Sequence, residues 1–147
     1  MRWEHTIEID TPAETVWAVT LDVEALPMIS PTTMTRVERL DPGPLLPGSR
    51  VRIKQPGQSA RVWTVTETEA PTRFVWGTRV GLARMVATHL VEPTASGCRN
   101  TLRLELTGRG AGLLGRFVGR TLERVLATEN AGFKRVAEAR VGPPPVG

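Results

Sequence analysis

Residues 2–9, "RWEHTIEI", alternate strictly between apolar and polar positions. Trp3, His5, Ile7 and Ile9 share one face, and Arg2, Glu4, Thr6 and Glu8 the other, the period of two that marks a half-buried strand. "DTPAETVWAVTLDVEALP" then predicts one or two short helices. Asp10 or Thr11 is placed to cap, Pro12 suits the first turn, and Glu14 stands at capping-box spacing from Thr11. Val16, Trp17, Val19 and Thr20 supply a partly apolar stripe, with Trp17 as a structural plug, and Pro27 and Pro31 close the segment. Six more strands are predicted at 33–40, 50–55, 60–68, 73–79, 83–92 and 99–107. "DPGPLLPGS", "QPGQS" and "PTASGC" are turn-rich breaks between them, so one antiparallel sheet, mostly hairpin-connected, is expected.

From Gly110 the period lengthens. Leu114, Val118, Leu122, Val125, Leu126, Phe133 and Val136 fall on one helical face, with Arg116, Arg120, Glu123, Arg124, Lys134 and Arg135 opposite. The stretch predicts a helix of roughly 28 residues, about 40 Å long. Glycines at 112, 115, 119 and 132 lower its propensity, so fraying is expected in the first turns, and "GRGAGLLG" (108–115) reads as a flexible hinge. A long helix with one apolar face needs a surface to cover, and a one-sided sheet needs a cover. The expectation is a single α+β domain over 1–141, a sheet curved around the last helix, followed by a disordered Pro-rich tail at 142–147.

The chain has 147 residues, 40% of them apolar and 23% charged, enough for one domain with a real core. Its formal charge of +4 is spread along the sequence, without the basic stripe and interleaved aromatics of a nucleic-acid module, so no nucleic-acid partner is expected. The single cysteine, Cys98, permits no intrachain disulfide and fits a reducing compartment. With no apolar signal core and no run of 18 apolar residues, a cytoplasmic protein without stable membrane insertion is expected, as monomer or homodimer. Two His and one Cys stand too far apart in sequence for paired metal-ligand spacing, and no phosphate loop, dinucleotide fingerprint or nucleophile elbow occurs, so no metal and no cofactor is expected.

The element order, together with "IDTPAETVWAVTLDVEALPMISP" (9–31), "PGSRVRIKQPGQSARVWTVTETEAPTRFVWGTR" (47–79) and "THLVEPTASGCRNTLRLEL" (88–106), resembles the helix-grip, or START-like, superfamily. That superfamily includes the polyketide cyclase/dehydrase-like branch. The resemblance implies a seven-stranded antiparallel sheet gripping the terminal helix, with an apolar cavity between them. It also implies a lipid, quinone, sterol or aromatic polyketide as guest, and in some members cyclisation or dehydration. Ile29 departs from the pattern, standing where relatives often carry a Trp before Ser-Pro, which predicts a reshaped end of the pocket.

Within such a frame Glu129 is the odd residue. It lies at +7 from Leu122, +4 from Val125 and −4 from Phe133, in the middle of the apolar stripe. One reading is a cavity-facing carboxyl with a raised pKa, able to protonate or orient a ligand oxygen; the other is a carboxylate in a structural pair. His5, on an apolar strand face, is either a proton-transfer group or a hydrogen-bonded packing residue. His89 lies on a strand with apolar residues on both faces, Met85, Ala87 and Val91 against Val86 and Leu90, so its direction stays open. Trp63 and Trp76 are candidate walls, Val118, Leu122 and Val125 candidate lining from the helix, and Met28 and Met85 adaptable lining. Cys98, beside a turn and with no His nearby in sequence, is a poor nucleophile. Three functions fit: a binder of a small, largely apolar molecule; a cofactor-independent cyclase/dehydratase using Glu129 or His5; and an interaction protein that hands a ligand to a partner or membrane through the Gly-rich start of the long helix.

Overall fold

The computed structural model describes residues 1–140, so the expected tail at 142–147 lies outside the described residues. Seven strands form one antiparallel sheet: β1 (Arg2–Ile9), β2 (Arg36–Arg39), β3 (Arg50–Lys54), β4 (Arg61–Glu69), β5 (Arg73–Val80), β6 (Ala83–Pro93) and β7 (Cys98–Gly108). Their spatial order is β1-β7-β6-β5-β4-β3-β2. Each hairpin-linked strand lies beside its predecessor, and only the connection from β1 crosses the molecule. That crossing runs through α1 (Ala13–Leu21), a single 3-10 turn (Val23–Ala25) and α2 (Leu26–Ile29). A register shift between Val65 and Glu67, where β4 meets β5, is a bulge of the kind that bends a sheet and increases its twist.

The expected stripe of α1 is buried at Val16, Trp17, Val19 and Thr20, but the expected cap is not found. Pro12 itself occupies the capping position, without a side-chain hydrogen bond, and its carbonyl accepts from the Thr15 and Val16 amides. The Thr11 hydroxyl is buried without a partner. The strand expected at 33–40 is shortened to four residues. The Thr33 and Met34 amides turn back to the Ser30 carbonyl, so pairing with β3 begins only with the Thr35 amide on the Lys54 carbonyl.

α3 (Ala111–Arg140) runs unbroken for 30 residues and packs against β1, β7, α1 and α2. Its glycines do not fray the helix. Gly108 and Gly110, both at positive φ, make a tight turn out of β7 in place of the expected loose hinge. Gly115 and Gly119 let Met1 and Trp3 lie against the helix. Gly132 is the tightest position, since a Cβ there would stand 2.1 Å from the Ile29 carbonyl oxygen. Ile29, at the end of α2, therefore packs onto α3 at Gly132, and it is not among the residues that line the cavity.

Candidate functional site

Because α3 rests on the β1–β7 side, a gap remains over the sheet from β3 to the inner edge of β7. It is a cavity of about 380 Å³. Ile53, Trp63, Trp76, Met85, Ala87, His89, Leu102 and Leu104 line it from the strands, and Leu114, Val118, Leu122, Val125, Leu126, Glu129 and Phe133 from the helix. Gln55, Gln58 and Arg61, from the β3–β4 hairpin, add polar lining. Of the eight residues expected at a ligand site, the structure brings seven to this cavity: Trp63, Trp76, His89, Val118, Leu122, Val125 and Glu129.

His5 is the exception. Its ring is held by Asn130, whose Nδ2 lies 3.0 Å from His5 Nδ1 and also donates to the His5 carbonyl at 3.1 Å. Asn130 Oδ1 accepts from Asn100 Nδ2 at 2.8 Å, and both asparagines are fully buried. This network ties α3 to β1 and β7, so His5 is a packing residue of the helix–sheet seam. Met28 is also misplaced by the sequence reading: it stands 78% exposed on the outside, whereas Met85 lines the cavity as expected. Cys98 is fully buried as the first residue of β7, its thiol pKa raised by burial and by the Glu8 and Glu14 charges, which leaves it inert.

Glu129 faces the cavity with little to hold its charge. Thr33 Oγ1 donates to Glu129 Oε1 at 3.2 Å, and Thr33 is itself hydrogen-bonded to Ser30. Burial pushes the carboxyl up to about 7, with the Thr33 bond opposing it weakly. Near neutral pH the group is then divided between acid and carboxylate. As the acid it donates a hydrogen bond, and as the carboxylate it accepts a proton.

His89 shares a face with Met85 and Ala87, the register pairing it with Phe74 and Leu102. Its ring meets Phe74, Trp76 and Phe133 edge-on at centroid distances of 5.7, 6.2 and 5.8 Å. Burial pushes its pKa down to about 4, so the imidazole is neutral, and Nδ1 is buried without a partner. Trp63 Nε1 is likewise buried and unpartnered, its ring tilted against Trp76 at 5.7 Å. Buried donors and acceptors in a folded protein nearly always have partners. Both rings line the cavity, but each orphaned nitrogen is covered by its neighbours and does not itself open on the hollow.

Thr33, Ser30 and Asn130 were not foreseen. Asn130 carried a signal, at +4 from Leu126 and −3 from Phe133 on the same stripe as Glu129. Thr33 carried none, since its partner lies 96 residues away. Among the described residues no group of three or more His, Cys, Asp or Glu comes together, and no helix is long and apolar enough to cross a membrane.

A curved antiparallel sheet closed by one long helix over an apolar hollow defines the helix-grip class of proteins. Within that class the chain belongs to the family described as polyketide cyclase/dehydrase and lipid transport, which it matches over residues 1–138. No curated protein sequence matches it. Among solved structures it is similar to the Zhui aromatase/cyclase from Streptomyces sp. R1128, at 20% identity and a TM-score of 0.77, covering 97% of this chain and 96% of that one. It is also similar to the di-domain aromatase/cyclase BexL of the BE-7585A biosynthetic pathway, at 23% identity and a TM-score of 0.76. That match covers 97% of this chain and 48% of BexL, so the chain spans about half of the di-domain protein. Norcoclaurine synthase from Thalictrum flavum, in complex with dopamine and hydroxybenzaldehyde, aligns at 15% identity and a TM-score of 0.75, covering 97% and 89% of the two chains. At these identities the likeness is one of fold.

Proposed function

We propose that the protein binds a small, uncharged, largely apolar molecule bearing at least one acceptor oxygen in the cavity between sheet and α3. The observation that carries this reading is the polar provision of the cavity. It consists of the Glu129 carboxyl, with Gln55, Gln58 and Arg61 from the β3–β4 hairpin, set among apolar walls. A few placed polar groups in an apolar hollow suit a guest whose oxygen meets Glu129 while its carbon skeleton lies against Trp63, Trp76, Leu122 and Val125. Lipid-, quinone- and polyketide-like molecules all meet that description.

Native mass spectrometry of freshly purified protein is expected to show a co-purifying small molecule. Prodan, an uncharged naphthyl ketone, is expected to bind with blue-shifted emission. Leu122→Trp, which narrows the hollow, should weaken both signals while the protein stays folded. Wild-type protein that arrives empty and leaves prodan emission unchanged would remove the reading.

A second reading is a cofactor-independent cyclase or dehydratase, and the similar structures include two aromatase/cyclases. It is favoured by the Glu129 carboxyl, whose acid and base forms coexist at neutral pH beside the same hollow. Under it, Glu129→Gln lowers turnover by about 10²–10⁴ while guest affinity stays within a few fold. Equal loss of both, or of neither, in paired turnover and binding measurements would leave Glu129 as a binding or packing group.

A further inference from the structure

The arginines that look scattered in the sequence gather at one end of the molecule. Arg79 and Arg84 are directly opposite each other where β5 turns into β6, on the sheet face away from the cavity with the Arg84 guanidinium over Gly77, and Arg109, Arg116 and Arg120 follow where β7 turns into α3. The two turns adjoin: Ala83 pairs with Gly108, and Ala83, Leu106 and Ala111 pack together. All five arginines are exposed, and among the described residues none is in an ion pair, whereas Arg2, Arg50, Arg52, Arg73, Arg99 and Arg103 all are. Like charges directly across a strand pair are destabilising, and among the described residues neither Arg79 nor Arg84 is in an ion pair that would offset this. No Asp or Glu occurs between residues 107 and 122.

The same end exposes large apolar side chains. Leu82, at the tip of the β5–β6 hairpin, is 74% exposed, Leu113 66% and Phe117 80%. On α3, Leu113, Arg116, Phe117, Arg120 and Arg124 fall at i, i+3, i+4, i+7 and i+11, one outward stripe of mixed basic and apolar residues. Leu114 and Val118, on the opposite side of the same turns, line the cavity, as do Val80 and Met85 on the hairpin, so one end of the hollow lies beneath this end of α3.

We propose that this end of the protein docks on the surface of an anionic lipid bilayer. Leu82, Leu113 and Phe117 enter the headgroup–acyl boundary, and the arginines meet lipid phosphates and carboxylates. Apolar prongs on two separate turns, interleaved with uncompensated arginines, suit a fluid anionic surface, which yields around each prong. A folded acidic protein would need a matching hollow for each. An apolar guest held as proposed above then passes between bilayer and cavity without crossing open water, although docking itself does not depend on that reading.

The test is co-sedimentation of the full chain with phosphatidylcholine vesicles and with phosphatidylcholine–phosphatidylserine vesicles, each across a salt series. Binding to the anionic vesicles is expected to exceed that to the neutral ones by at least about tenfold and to weaken with salt. Arg116→Gln with Arg120→Gln should weaken it about thirtyfold. Phe117→Ala should weaken it about tenfold with the melting temperature unchanged, since this side chain is mostly in water. Equal binding to both vesicles, or no effect of the Phe117 variant, overturns the proposal. So does a protein that ignores vesicles but binds soluble poly-glutamate with the same dependence on Arg116 and Arg120, which would assign the surface to an acidic protein.

Discussion

At the scale of single residues, the cavity holds two titratable groups that burial shifts in opposite directions. Glu129 is raised from its ordinary value to about 7, so between about 4.5 and 7 the folded protein holds a proton that the unfolded chain has released. Stability on this account falls as pH rises through that window. His89 is lowered to about 4, so between about 4 and 6.5 the unfolded chain binds the extra proton, and stability rises with pH. Each slope approaches about 1.4 kcal/mol per pH unit, and between pH 5 and 6.5 they oppose each other. Wild-type stability from urea denaturation is therefore expected to be nearly flat over that interval. Glu129→Gln leaves the histidine alone and should give a curve that rises with pH; His89→Phe should give one that falls. Parallel flat curves for all three proteins would mean that neither group is desolvated as the structure places it. The helical spacing alone could point Glu129 inward, but His89 could not be oriented from its own strand. Both faces of β6 are apolar, and only pairing with Phe74 and Leu102 selects the concave side.

Among the elements, local periodicity was sufficient wherever one face is wet and the other dry. β1 alternates along its whole length, and α3 keeps its stripe over eight turns, so both could be read directly. The segment around Thr33 could not. Its side chains answer to Ser30 and to a helix 96 residues on, contacts with no local period. The α3 glycines were misjudged for the same reason, because propensity counts what a glycine costs a helix and not what approaches it. Two substitutions separate these effects. Gly132→Ala drives a Cβ to 2.1 Å from the Ile29 carbonyl, so α2 must shift, at a cost of about 1–3 kcal/mol. Gly112→Ala meets nothing within 4 Å and should stabilise by up to about 1 kcal/mol through helix propensity. Chemical denaturation of the two variants checks the sign of each change. A tolerated Gly132→Ala would show that the close seam between α2 and α3 is not needed.

For the whole molecule, the question is why a chain of this size leaves a hollow at all. Dispersion and burial favour filling it, and one added methylene in contact with apolar walls is worth roughly 0.8 kcal/mol. The seam that ties α3 to β1 and β7 through Asn130, Asn100 and His5 holds the helix on one side of the sheet. The rest of the sheet, from β3 to the inner edge of β7, therefore stays open unless side chains grow into it. The one-sidedness comes from contacts among residues 5, 100 and 130, which no window of sequence places together. Val125 stands on the lining of that open side. Val125→Leu is expected to raise the stability of the empty protein by about 0.5–1 kcal/mol while weakening prodan binding, measured by thermal melts with and without the probe. If instead the substitution destabilised the empty protein, the space beside Val125 would be too tight for a methylene. The guest would then have to lie nearer Leu114 and Val118, at the arginine-rich end.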